Sequence, residues 1–292
     1  MDSYLIWHIE GGLGKNVAAT SLIQTLHERY PDRKIIIVAS YPEIFLNHEL
    51  VYRVYRVNNT AYFYDDFIRG KDTIVFRQEP YFETNHINKR KHIIESWCKL
   101  MDLEYNNQLP VINLNLVQQR IAQKWLREKP ILLIQTNGGP MNSEVQYSWT
   151  RDIPFDLSMN IVKSFIEDYH IIQVCKPSSR QIPGAEIINE PLLPTDLFSL
   201  LALSEKRILI DSCLQHAASA LNLPSTVLWI GTSPINFGYS MHNNIVANPP
   251  LVEPKLPNSY LFDYSFEGLP HECPYYSTEE MFDLQGIIKS ME

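Results

Sequence analysis

Arg207 to Gly238 reads RILIDSCLQHAASALNLPSTVLWIGTSPINFG. Ile208-Leu209-Ile210 is an apolar run that stops at Asp211. Leu214, Ala217, Ala218 and Leu221 then recur at helical spacing, and Asn222-Leu223-Pro224 ends that helix. A second apolar run, Thr226 to Ile230, leads into Gly231-Thr232-Ser233-Pro234. The order is strand, tight turn, helix, strand, loop. Asp211, Ser212 and Cys213 fall where the strand ends and the helix begins. Unpaired backbone N–H groups and the positive end of the helix dipole can hold a phosphate there. His216, about one turn into the helix, leans back over the same place. Gly231, Thr232 and Ser233 form a second loop at a strand's carboxyl end, the side on which open α/β sheets bind ligands. The competing reading is a plain buried strand-turn-helix with Asp211 as an N-cap.

Outward from this stretch the chain keeps the same grammar. Tyr4 to Ile9 reads as a buried strand, and Glu10-Gly11-Gly12-Leu13-Gly14-Lys15-Asn16 as a glycine-rich turn. A helix follows to about Tyr30, and Ile35 to Ala39 is a second strand. That βαβ unit favours a parallel sheet. Leu50–Val57 and Thr73–Phe76 are further strands, and Lys91–Met101 and Leu116–Glu128 are helices. Lys129-Pro130 opens a second half: strand Ile131–Gln135, turn Asn137-Gly138-Gly139-Pro140, helix Leu157–Glu167, strand His170–Val174 and helix Thr195–Leu203. After the proline-rich Pro249–Pro257, Ser277-Thr278-Glu279-Glu280 has the form of a capping box for a last helix. The reading is α/β: two Rossmann-like domains facing a cleft, residues 1–128 and 129–292.

Bulk properties narrow the function. The chain has 292 residues, is 45% hydrophobic and carries a formal charge of −8. That charge argues against a general grip on nucleic acid, which needs a basic face. Cys98, Cys175, Cys213 and Cys273 form no C-x-x-C pair and read as free thiols of an intracellular protein. The segment Ser212–Val252 lacks Asp, Glu, Lys and Arg but is broken by proline, glycine and asparagine, so it is no membrane span. MDSYLIWHIEGG has no basic n-region and is no signal peptide. A cytoplasmic location follows, with contact to a membrane surface left open.

The string D-S-x-x-x-H-x-A-x-A-L-x-x-P, an apolar strand and G-T-S-P resemble the donor-binding signature of glycosyltransferase family 9, which contains the lipopolysaccharide heptosyltransferases. The resemblance implies the GT-B arrangement. It also implies a nucleotide-diphosphate-sugar donor held on Asp211, Ser212, Cys213, His216 and Gly231-Thr232-Ser233. The family pattern has glycine where Cys213 stands, and a Cβ there crowds a diphosphate. The first turn resembles the family's glycine-rich turn through Gly14 and Thr20. Lys15, however, takes the place of the aspartate that is the family's proposed base. The stretch from Ile131 to Gly139, with Trp149 downstream, resembles the strand that opens the family's donor domain. Its phosphate-binding lysine has no clear counterpart; Arg151 is the nearest cation, and Lys176 is a second candidate. Both also read as plain surface cations. The last helix of that superfamily crosses back onto the N-terminal domain.

Gly11-Gly12-Leu13-Gly14-Lys15 is also similar to the deviant P-loop of ParA-like ATPases. Asn16 stands where that loop needs a hydroxyl for magnesium, and Glu10 replaces its leading lysine. A third reading is a structural turn with Lys15 in solvent. For an inverting transfer a carboxylate must reach the acceptor hydroxyl. Glu10, at the end of the first strand, is the first candidate; Glu79 and Glu83 are alternatives, and Asp65 and Asp66 read as a helix start. Lys15 then serves to draw in an anionic ligand. The acceptor side is placed near Gly11, Gly12, Gly14 and Glu79. Lys89-Arg90-Lys91 suits an anionic acceptor or a solvated run. Trp7, Tyr62, Phe63, Tyr64, Tyr81 and Phe82 suit sugar stacking or core.

The expected function is sugar transfer from a nucleotide-diphosphate donor to a saccharide, lipid-linked or other acceptor. No cofactor or metal is required, since there is no Asp-x-Asp motif. The runner-up is a sugar-nucleotide-binding protein that has kept the fold without its base, and the third is a P-loop NTPase.

Overall fold

The computed structural model describes residues 2–139, 148–189, 191–249 and 275–291. The chain divides into two compact units, Met1–Leu116 and Val117–Glu292, so the second unit begins at Val117 rather than at residue 129.

In the first unit β1 (Ser3–Ile9), β2 (Lys34–Ala39), β3 (Val51–Arg56) and β4 (Asp72–Phe76) form a parallel sheet in the order β3-β2-β1-β4. Leu5, Ile6, Trp7, Ile36 and Ile37 are buried, as the unbroken apolar runs of a covered parallel sheet require. The first helix divides into α1 (Leu13–Ala19), a 3₁₀ turn Thr20–Leu22, and α2 (Ile23–Arg29). Thr20 and Ser21 cause the break: each hydroxyl donates back to a carbonyl three residues earlier, at 2.7 Å. Thr20 also accepts from the Val111 N–H at 2.8 Å, so its hydroxyl is committed to structure. The remaining helices are α3 (Phe63–Phe67), α4 (Thr84–Ile87) and α5 (Ile93–Leu100). Asp65 and Asp66 lie in the first turn of α3, and Asp65 pairs with Arg69. Phe63 and Phe67 pack edge to face beneath the sheet, whereas Tyr62, Tyr64 and Phe82 are exposed.

The second unit opens within α6 (Leu116–Ala122). Its parallel sheet contains β5 (Ile131–Gln135), β6 (His170–Val174), β7 (Glu186–Ile188), β8 (Lys206–Ile210), β9 (Thr226–Trp229) and β10 (Asn243–Val246) in the order β10-β9-β8-β5-β6-β7. The helices α7 (Phe155–Phe165), α8 (Pro194–Leu203), α9 (Cys213–Ala220) and α10 (Pro234–Phe237) alternate with the strands. Helix α9 ends at Asn222, which takes the left-handed conformation at φ +56°. The Leu223 N–H donates to the Ala218 carbonyl and the Asn222 N–H to that of Ser219, the paired bonds of a Schellman ending.

The last helix differs from its sequence reading twice. It is two short pieces, α11 (Thr278–Met281) and α12 (Leu284–Lys289), separated by Phe282 and the N-cap Asp283. The capping box is not made: Glu280 accepts from the Tyr276 N–H instead. Nor do these residues leave their own unit. Met281, Phe282, Ile287 and Met291 join Leu157, Ile161 and Leu228 in the C-terminal core. Lys206 donates to the Met291 carbonyl, and Thr226 and Ser290 share a hydrogen bond of 2.9 Å. These residues are buried against α7 and the sheet of the second unit. Cys98, Cys175 and Cys213 are free thiols; Cys273 and most of Pro249–Pro257 lie outside the described residues.

Candidate functional site

Each sheet starts in its middle and grows to one side before returning to fill the other. In the second unit, β5 is followed outward by β6 and β7, and the chain then returns to lay β8 beside β5. The crevice outside that β5–β8 junction is where an open α/β sheet takes its ligand. Four neighbouring strands, β9, β8, β5 and β6, deliver the predicted residues to their carboxyl ends.

The turn after β5 lies against the turn after β8: a Cβ built on Gly138 would stand 3.7 Å from the Asp211 carbonyl oxygen and from the Ser212 Cβ. Gly139 takes φ +84°, and the Lys176 ammonium lies beside it, 3.8 Å from where a Cβ would stand. Lys176 is buried and is not a plain surface cation. Beneath these turns Asp152, buried, accepts from the Gly138 N–H at 2.9 Å, the Ser148 N–H at 2.8 Å and the Asn137 side-chain amide at 3.1 Å. Gln173 extends the network to Thr136, whose hydroxyl donates to Asn137. A buried carboxylate with three donors is satisfied, and it holds the β5 turn rigid.

Asp211 and His216 are buried, and Ser212 is the N-cap of α9. The N-cap Ser212 side chain makes no capping hydrogen bond and the first turn of α9 carries no acidic residue, which suits that helix start to an anion. The Cys213 thiol projects from the first turn. Burial pushes its pKa up to about 11 against the pull of the Ser212 hydroxyl, so it is a neutral thiol at neutral pH. His216 Nδ1 meets the Tyr239 hydroxyl at 2.8 Å, and the Phe237 and Tyr239 rings stand edge-on to the imidazole. Gly231 donates its N–H to the Thr150 carbonyl at 2.7 Å, and a Cβ there would collide with Thr150 at 2.9 Å. The loop therefore needs this glycine to seat against the Thr150 turn. The Thr232 hydroxyl is buried and has no hydrogen-bond partner among the described residues, and Ser233 caps α10 by accepting from the Ile235 N–H.

The first unit repeats the arrangement. Its junction lies between β1 and β4. Glu10 follows β1 and is half exposed; it accepts from Arg77 at 2.8 Å across that junction and lies 3.4 Å from His8. Gly11 takes φ +109°, Gly12 caps α1, and Gly14 lies inside α1. Lys15 is the main correction. The sequence reading leaves it in a glycine-rich turn, to draw in an anionic ligand or to stand in solvent, yet its side chain is 4% exposed. It belongs to α1 and turns inward, donating to Glu79 after β4. The rings of Tyr81 and Trp97 flank its ammonium at 5.2 and 5.8 Å. Asn16 is fully buried and binds the Gly11 and Gly12 carbonyls, so it serves as a staple of the turn. Lysine and asparagine are thus both spent inside the unit, against the P-loop reading. Glu83 is likewise committed, accepting from Lys99, Asn85 and His86. Lys91 of the basic run pairs with Glu95. Trp7 is core.

No protein-family model and no curated protein sequence matches the chain. Solved structures do. Heptosyltransferase II of Escherichia coli, described as an ADP-heptose lipopolysaccharide enzyme, superposes with TM-score 0.61 at 15% identity over 87% of this chain and 92% of its own. A family 9 glycosyltransferase from Veillonella parvula gives TM-score 0.65 at 12% identity over 84% and 86%.

This chain has the fold of the family 9 glycosyltransferases.

A third structure with that family 9 fold is an iron-containing, dodecameric heptosyltransferase of enterotoxigenic E. coli, determined with ADP-D-β-D-heptose. It gives TM-score 0.60 at 13% identity over 97% of this chain and 68% of its own. In the present family 9 fold the residues missed from sequence are Asp152 and Tyr239. Asp152 sits in no motif, and Tyr239 reaches His216 only through the fold.

Proposed function

We propose that this protein transfers a sugar from a nucleotide-diphosphate donor to an acceptor hydroxyl, with inversion and without a required metal. The observation that carries the reading is the convergence at the β5–β8 junction. Gly138, Gly139, Lys176, the Asp211–Ser212 turn and the start of α9 meet where a diphosphate would bind. Lys176 and the α9 N–H groups would stabilise the charge on the departing diphosphate. The Thr232 hydroxyl is a polar group awaiting a ligand. Binding of ADP-heptose by a protein of the same fold supports an ADP-linked donor among those to try. We assign the reaction to the cytoplasm and the acceptor to a saccharide or lipid-linked saccharide.

Asp211→Ala and His216→Ala are each expected to weaken the affinity for a nucleotide sugar by roughly tenfold or more while the folded state persists, since a charge-assisted hydrogen bond contributes about 1.5–3 kcal/mol. Calorimetry against ADP- and UDP-sugars reads this directly; unchanged affinity in both variants rules the site out. Cys213 in place of glycine and Lys15 in place of aspartate favour a second reading, a binding protein that performs no transfer.

A further inference from the structure

We infer that Glu79 is the general base of this transferase and that Lys15 is the residue that positions it; the inference rests on the transferase reading above. The two residues are 64 positions apart in sequence and meet across the β1–β4 junction, the ligand-binding edge of the first unit. Three carboxylates were candidates, and their surroundings separate them. Glu83 is buried and saturated by Lys99, the Asn85 side-chain amide and two backbone N–H groups, with no lone pair to spare. Glu10 is 49% exposed and leans on Arg77, itself 70% exposed. Such a pair is loosely held in water and fixes no geometry.

Glu79 is different in both respects. One oxygen, Oε2, takes the ammonium of a lysine that is itself 4% exposed. The other, Oε1, accepts among the described residues from the Tyr81 N–H, at 3.4 Å, a long contact that leaves it able to accept a proton. The carboxylate is 35% exposed, enough for an acceptor to reach it. Its support extends inward in an ordered series. Tyr81 and Trp97 flank the ammonium, the Trp97 indole N–H donates to the Gln78 carbonyl next to Glu79 at 3.2 Å, and Trp97 stands edge-on to the buried Trp7. A carboxylate anchored at one oxygen and open at the other is what a base needs. Lys15 therefore does not replace a base; it holds one supplied from the loop after β4.

The step balances. Oε1 of Glu79 takes the proton of the acceptor hydroxyl as the hydroxyl's own oxygen bonds to the anomeric carbon. The bond from that carbon to the diphosphate oxygen breaks, and its electron pair leaves with the nucleoside diphosphate. Water can stand in for the acceptor, which gives a test with no acceptor in hand.

Calorimetry first identifies which of ADP-glucose, UDP-glucose and UDP-N-acetylglucosamine binds the full chain; nucleoside diphosphate released from that donor by water is then measured. Glu79→Gln is expected to cut the release by roughly 10²–10⁴-fold, the usual worth of a general base, with donor affinity unchanged. Glu10→Gln is expected to stay within threefold of the wild type. Should Glu79→Gln not fold, the double change Lys15→Met with Glu79→Gln removes the buried charge together with its partner and is expected to show the same loss. Release unchanged by removal of Glu79, or lost on Glu10→Gln instead, overturns the assignment and leaves the transferase reading standing. A donor that binds the wild type and is never cleaved overturns the transferase reading itself.

Discussion

At the scale of single residues, the site depends on side chains whose chemistry is set by burial. Cys213 illustrates this. It sits in the first turn of α9, where a helix dipole ordinarily favours the thiolate. Desolvation wins, and the thiol stands at about 11. The thiolate is the reactive form, so alkylation of Cys213 is expected to be slow at pH 7 and to quicken about tenfold per pH unit up to that value. Mass-spectrometric mapping of iodoacetamide labelling across pH 7–10 checks this; fast labelling at pH 7 would show a thiolate instead. Lys15 shows the limit of residue-level reading. A lysine after three glycines reads as solvated, because sequence does not show that Glu79, Tyr81 and Trp97 close around it. A buried ammonium needs a counter-charge within reach, and that charge comes from a loop 64 residues away.

At the scale of elements, sequence served best where periodicity was strong. Ile131–Gln135 and His170–Val174 have the same bounds in the sequence reading and in the structure. The turn at Asn222 was legible too, because Asn-Leu-Pro both ends a helix and tolerates the left-handed region. Asn222→Val is expected to cost about 1–2 kcal/mol, the penalty for a side chain forced into that region. A lowered thermal midpoint would show it, and Asn222→Gly, with no such penalty, is expected to be nearly neutral. The strands β7 and β10 were not legible: Glu186–Ile188 spans three residues, and Asn243–Val246 opens with two asparagines of low β propensity. The last helix was misread because a capping-box pattern describes only a local option. Burial of Phe282 with Met281 and Ile287 in the C-terminal core decided its course.

At the scale of the whole molecule, the decisive regularity is that each unit builds a parallel sheet outward from its first strand and sets its charged residues at the resulting junction. We assign the charge of the diphosphate to Lys176 and the α9 start. Nucleoside diphosphate release is therefore expected to survive dialysis against EDTA with less than a twofold change. Loss of release, restored by magnesium or manganese, would require a different account of the leaving group. Among the described residues no helix is long and apolar enough to cross a membrane.

The seat of Gly231 against Thr150 also bears on how such a protein can change its substrate over generations. Any Cβ at position 231 drives the two turns apart, so that position is closed to variation by geometry alone. Its neighbours are not: Thr232 and Ser233 are partly open to solvent, and the Thr232 hydroxyl has no partner to lose among the described residues. On the transferase reading proposed above, a lineage drifting toward a new ligand would keep its glycine as a fixed pivot and vary the next two positions, which leave the scaffold that presents them intact.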